Sequence, residues 1–321
     1  MTGTRPGPLR VIYLGGLGRS GSTLVERLLA ELPGVCPAGE VVHMWQRGVV
    51  EDERCGCGEP FSGCGFWRDV GQAAFGGWAR LDAGRVAELR GAVDRTRHIP
   101  LLAAPVLPPR VRRDLDEYLG YYTRVYSAIT EVSGCPMVVD SSKHASLAFC
   151  LRRSPRLDLR VIHVVRDSRA VAFSWTRKVS RPDAARASSM ATYSPATAAG
   201  HWNAQNGALQ LLAGLGVPTL RVRYEDLVSS PAAIVARIAD FARIEADASQ
   251  LGFLGADAGT RWADLRAAHT ASGNPMRFTT GRVAIRRDER WRTAMPSGQR
   301  RTVTALTAPL LAQYRYPWRA A

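Results

Sequence analysis

The sequence predicts an α/β fold: a parallel sheet flanked by helices, carrying a phosphate-binding loop near its start. Three observations carry that expectation. Val11-Ile12-Tyr13-Leu14 is a short apolar run of buried-strand composition. It enters a glycine-rich turn, Gly15-Gly16-Leu17-Gly18-Arg19-Ser20-Gly21, and residues 22–29 then place apolar side chains at helical spacing. Further strand-like runs at residues 136–139, 160–165 and 217–223 lead into polar clusters, with helical stretches between them. In a strand–glycine turn–helix unit the glycines let the backbone approach an anion, and the free amides of the helix start donate to it.

The chain has 321 residues, enough to bury a real core, and one domain over 1–321 is expected. No run approaches the roughly 20 apolar residues of a membrane span. The start, MTGTRPGPLR, has no apolar signal core, so a cytoplasmic protein is expected. A net charge of +15 suits an anionic ligand. The arginines are spread along the chain without a basic tract, so nucleic acid is not the expected partner. No feature selects an oligomeric state.

The turn departs from a nucleoside-triphosphatase loop, G-x-x-x-x-G-K-[ST], in one respect. Residues 16–23 fit its spacing, but Ser22 stands in the lysine slot and the cation sits in the turn as Arg19. Such a loop is poorly equipped for a β,γ-phosphate pair with magnesium and better suited to one bridging anion.

GLGRSGSTL (residues 17–25) resembles the 5′-phosphosulfate loop of sulfotransferases that use 3′-phosphoadenosine 5′-phosphosulfate, PAPS. The resemblance implies a P-loop-type nucleotide-binding fold. It also implies donor contacts from Gly18, Arg19, Ser20, Gly21, Ser22 and Thr23, and a transfer that requires no metal. It divides the chain into a donor core (10–40 and 136–231), acceptor and lid segments (41–135 and 178–205) and a nucleotide-closing segment (269–291).

After the loop helix, Pro33 and Gly34 turn the chain towards Gly39-Glu40. In bacterial sulfotransferases, and in those that sulfate protein tyrosines, a Gly-Glu at this place supplies the base. Glu40 is the implied catalytic base, His43 is the runner-up, and a plain helix-start glutamate is the alternative. Residues 41–49 could be strand or helix. Cys55, Cys57 and Cys64 form C-x-C-x6-C, which is not a standard zinc spacing and lacks a fourth ligand nearby. Free thiols or a local disulfide are expected there, ahead of a metal. Residues 85–95 and 115–132 read as helices, the latter with Leu115, Leu119, Tyr122, Val125, Tyr126 and Ile129 at helical spacing; in the resembled family this region helps shape the acceptor pocket. The four prolines of 98–109 exclude a long regular element between them.

The strand at 136–139 runs into Asp140-Ser141-Ser142-Lys143, and ligands in parallel sheets sit at such strand ends. This end resembles that of bacterial sulfotransferases, with Lys143 on the leaving oxygen and Ser142 on a phosphate or sulfonate. An N-cap by Asp140 or Ser141 is the alternative. The strand at 160–165 ends in Arg166, with Ser174 eight residues on, and this pair resembles the family's 3′-phosphate motif. Ser168 stands where the family usually has proline. An Arg166–Asp167 surface pair is the competing reading. Residues 181–195 read as a loop over the acceptor site. The strand ending in Arg-Tyr-Glu-Asp-Leu (223–227), followed by a proline-started helix, resembles a structural unit of the family. Arginines 277, 282, 286, 287 and 290 form the densest basic patch, where the family closes over the nucleotide; Arg282 is the implied contact. A final helix is expected at 303–314, kinked or split at Pro309.

The implied reaction moves a sulfonate from PAPS to a hydroxyl, or less readily an amine, of a carbohydrate, a lipid, a phenol or a small natural product. The competing functions are a P-loop kinase or ATPase, disfavoured by the missing lysine, and a non-catalytic nucleotide-binding protein.

Overall fold

The computed structural model describes residues 7–180, 182–183, 189–257 and 259–318. Among these, five strands form a parallel sheet: β1 (Leu9–Gly15), β2 (Val35–Gly39), β3 (Met137–Lys143), β4 (Leu157–Val165) and β5 (Thr219–Arg223), in the order β2-β3-β1-β4-β5. The first strand is therefore central, with β3 and β4 on its two sides.

The strands are apolar on both faces, as a sheet covered by helices on each side requires. Val11 and Tyr13 of β1 point into one core, with the long helix Pro109–Ser133 and the helix Ala145–Leu151. Ile12 and Leu14 point into the other, with the loop helix Ser22–Leu29 and the helix Pro231–Ala242. Alternation along the strand produces this division.

Residues 41–49, read as strand or helix, are a helical turn Val41–His43 running into a π-helical stretch Met44–Val50. The expected helices appear as Ala83–Val93 and Pro109–Ser133, with only short helical pieces over 96–103. The C-terminal helix Ser297–Gln313 is assigned as one element with Pro309 inside it.

Two features lie beyond the sequence reading. Residues 35–39, taken as part of a turn, form the sheet-edge strand β2, where Pro37 is tolerated because an edge residue need not donate on its outer side. A second, antiparallel sheet of β6 (Leu254–Asp257), β7 (Thr260–Leu265) and β8 (Gly281–Ile285) packs Ala263, Leu265 and Ile285 into the same core as the loop helix. No helix of the described residues is long and apolar enough to cross a membrane. The expected loop over the acceptor site falls partly at 181 and 184–188, outside the described residues.

Candidate active site

β1 ends at Gly15, and the chain turns over residues 16–21 before the helix Ser22–Leu29. Gly16 has φ of 149°, and a Cβ there would lie 2.4 Å from the Val164 carbonyl oxygen, so the turn presses directly on β4. Arg19 and Gly21 are left-handed, at φ 76° and 95°. No side chain caps the helix start, which leaves its first amides to an external acceptor.

Arg19 is the most exacting residue of this turn. Its Nε and Nη2 are buried and have no hydrogen-bond partner among the described residues. Its guanidinium lies 5.3 Å from the Trp175 ring centre, and the Trp175 Nε1–H donates to the Gly18 carbonyl at 2.9 Å. Burial lowers the Arg19 pKa, and the nearby Glu40 charge opposes that shift. Buried donors on a cation are costly until an anion meets them.

The strands beside β1 bring two more cations to the turn. Lys143 ends β3 with φ of 70°, and its carbonyl accepts from the Gly16 N–H at 3.2 Å. Its ammonium is ion-paired with the Glu40 carboxylate. Glu40 follows the edge strand, where Gly39 has φ of 79° and a Cβ would lie 2.2 Å from the Ala271 carbonyl oxygen. The Glu40 N–H donates to that same oxygen at 2.8 Å. The loop after β1, the end of β2 and the end of β3 thus meet at one place.

Burial pushes the Glu40 carboxyl up, but Lys143, His43 and Arg47 together outweigh it and hold the pKa at about 2. The His43 Nε2 lies 3.6 Å from the other carboxylate oxygen, and burial lowers its pKa to about 3. At neutral pH the carboxylate is charged and the imidazole is neutral, so each is in a proton-accepting form.

Behind them sits a buried carboxyl absent from the sequence reading. Glu26, on the loop helix, accepts from the Gly39 N–H at 2.8 Å and from the Ser141 hydroxyl at 2.9 Å. Burial raises its pKa to about 7. It ties the loop helix to the strand ends that carry Glu40 and Lys143. An acid one turn into an otherwise apolar amphipathic helix was the available signal.

Arg166 follows β4 and is 7% exposed. Its guanidinium donates to the Arg19 carbonyl and to the Asp288 carbonyl, each at 3.1 Å, and lies 4.6 Å from the Tyr224 ring centre. It does not form the surface pair with Asp167, whose carboxylate binds Arg169 instead at 2.7 Å. Glu225 of the Tyr-Glu-Asp-Leu unit accepts from the Asp167 N–H at 3.1 Å, so that unit supports the strand end, as expected of a structural element. Ser174 lies half-buried in the helix Ser168–Trp175.

Two predicted contacts are placed elsewhere. Ser142 is fully buried: its hydroxyl donates to Asp140 and accepts from the Val42 N–H at 2.9 Å, so both its hydrogen-bonding directions are taken inside the protein. The Asp140-Ser141 alternative of a helix cap does not occur, because the following helix is entered at His144 without a side-chain cap. Arg282 lies on β8, 59% exposed, paired with Asp257 at 3.0 Å and stacked over Trp262. The C-terminal segment reaches the site through residues 286–288, where Tyr224 donates to the Arg286 carbonyl and Asp288 meets Arg166.

Residues 142–248 match the model of the sulfotransferase family. The sulfotransferase domain from the olefin synthase of Synechococcus PCC 7002 superposes with a TM-score of 0.53 at 20% identity, covering 98% of this chain and 98% of that one. The sulfotransferase domain from the curacin biosynthetic pathway superposes with a TM-score of 0.51 at 17% identity, covering 97% and 98%. No curated protein sequence matches the chain. The matched segment contains Ser142, Lys143, Arg166 and Ser174, and the fold is shared over nearly the whole length. The sulfotransferase family model thus covers residues 142–248, about a third of the chain, and the fold over nearly the whole length is that of sulfotransferase domains.

Proposed function

We propose that this protein transfers a sulfonate group from PAPS to the hydroxyl of a small-molecule, carbohydrate or lipid acceptor. The observation that carries the reading is Arg19. A half-buried guanidinium whose Nε and Nη2 are buried without a partner, at the uncapped start of a helix, fits a phosphosulfate. PAPS supplies an activated sulfur and a leaving group, adenosine 3′,5′-bisphosphate. The loop amides with Ser20, Ser22 and Thr23 hold the 5′ end, while Arg166 and Ser174 take the 3′-phosphate. Lys143 exchanges its Glu40 partner for the bridging oxygen. That exchange frees the Glu40 carboxylate to accept the acceptor's hydroxyl proton, and His43 stands 3.6 Å away to relay it. Catalysis on this reading is positioning plus fixed charge.

The test is a calorimetric titration of the protein and of Arg166→Ala with adenosine 3′,5′-bisphosphate, ATP and AMP. The reading expects the bisphosphate to bind at least about tenfold more tightly than ATP or AMP, a margin of about 1.4 kcal/mol, and Arg166→Ala to lose it. Equal or tighter binding of ATP points to the kinase or ATPase reading and overturns this one.

A further inference from the structure

Away from the donor site, the chain brings a distant histidine to a local cluster of three cysteines. Cys55, Cys57 and Cys64 converge in the loop that follows the π-helical stretch. His269 joins them from the segment between the small sheet's β7 and β8. One ligand atom from each lies within 4.8 Å of every other. The separation from Cys64 to His269 is 205 positions, so no local spacing could have announced the fourth ligand.

We propose that these four residues form a structural zinc site of the Cys3His type. Zn–S bonds of about 2.3 Å and Zn–N bonds of about 2.0–2.1 Å in a tetrahedron require S···S edges of about 3.8 Å and S···N edges of about 3.6 Å. The Cys57 and Cys64 sulfurs are 3.8 Å apart. The His269 Nδ1 lies 3.3 Å from the Cys64 sulfur and 3.9 Å from the Cys55 sulfur. Every cysteine in the chain is unbonded, so none of these contacts is a disulfide. Three sulfurs and one imidazole nitrogen gathered this closely are the donor set that soft thiolate ligation and zinc share. The zinc ion displaces the three thiol protons to solvent and takes the lone pair of a neutral imidazole. Four protein ligands fill the coordination sphere, so the site holds structure and leaves no position for a substrate.

The backbone around the cluster is built to hold it. The Gly58 N–H donates to the Cys55 carbonyl at 2.9 Å, the Cys55 N–H to the Glu59 carbonyl at 2.8 Å, and the Cys64 N–H to the Pro60 carbonyl at 3.0 Å. The Phe66 ring stacks on His269, with centres 5.1 Å apart and planes at 16°. The Gly56 N–H donates to the Thr270 carbonyl at 3.0 Å, and one residue further on, Ala271 accepts from Glu40. A metal here fastens the cysteine loop to the very segment on which Glu40 hangs. The proposal stands independently of the sulfotransferase reading.

The experiment is metal analysis of the full chain, produced with zinc in the medium and purified under reducing conditions without chelator. One zinc per chain is expected, falling at least about fivefold in Cys64→Ser and in His269→Ala, and staying unchanged in Cys135→Ser. Should the two cluster variants fail to fold, the wild-type protein still decides the matter. Blocking its thiols with a mercurial should release the zinc, and cobalt in its place should give the d–d bands and thiolate charge transfer of a tetrahedral site. Three outcomes overturn the proposal: wild-type protein that takes up no zinc after anaerobic reconstitution, zinc retained in a folded Cys64→Ser, or a Cys57–Cys64 disulfide in the purified native protein.

Discussion

At the scale of single residues, Glu40 and Lys143 neutralise one another beside the loop, and the proposed reaction requires each to be released from the other. If the proposed reaction holds, Glu40→Gln keeps the shape and removes the proton acceptor. Turnover with PAPS and an accepted acceptor should fall by about 100-fold or more, while bisphosphate affinity, measured by calorimetry, stays within about twofold. Glu40 and His43 are both held below their ordinary values, at about 2 and about 3. The stability they contribute is therefore present above their unfolded values of 4.5 and 6.5 and is lost as pH falls towards 2 and 3. Glu26 has the opposite sign. Its folded value of about 7 lies above the unfolded 4.5, so its contribution is complete below 4.5 and disappears as pH rises through 7. Glu26→Gln should accordingly compare better with wild type at pH near 8 than at pH near 5, by up to roughly 3 kcal/mol, in urea unfolding at the two pH values. The places of Arg19, Lys143 and Arg166 in the fold were legible in the sequence because each sits at a strand end or glycine turn, where local pattern fixes position. Ser142 was not, because the direction of its hydroxyl depends on how far β3 runs before the chain turns.

Elements position these residues through close backbone approaches. Gly39 is the tightest, with φ of 79° and room for no Cβ against Ala271. Gly39→Ala should cost about 1–3 kcal/mol in backbone strain alone. It should also shift Glu40, so that turnover drops in a variant still folded by circular dichroism. The loop helix was read to its exact bounds, because an uncapped glycine start and apolar spacing are local signals. The edge strand β2 was missed because its partner β3 lies about a hundred residues onward, and its proline argues locally for a turn. Arg282 was misplaced for the same kind of reason: its partner Asp257 belongs to an antiparallel sheet whose pairing no local period announces.

Across the whole molecule, buried arginines do the joining. Arg27, fully buried on the loop helix, donates to the carbonyls of Arg266, Arg277 and Thr279 at 2.7, 2.5 and 2.9 Å. Arg277, 1% exposed, continues the chain of contacts to the Thr270 and Arg54 carbonyls and to Asp183. Arg27→Ala leaves several buried carbonyls unmet, at about 1–3 kcal/mol each before relaxation. The expected result is a loss of at least about 3 kcal/mol in urea unfolding, with amide exchange accelerated over 266–279 more than over β1. Arg27 and Arg277 thus serve the fold, whereas composition alone attributed the positive charge to an anionic ligand.

The central place of β1 has a consequence for how the chain is made. Its two neighbours begin at Met137 and Leu157, so β1 has nothing to pair with until more than a hundred further residues have been synthesised. At about 5–20 residues per second, this largely apolar strand waits on the order of ten seconds outside any partner. Yield of active protein should therefore respond to translation speed and to chaperone supply more steeply than to the equilibrium stability of the finished fold.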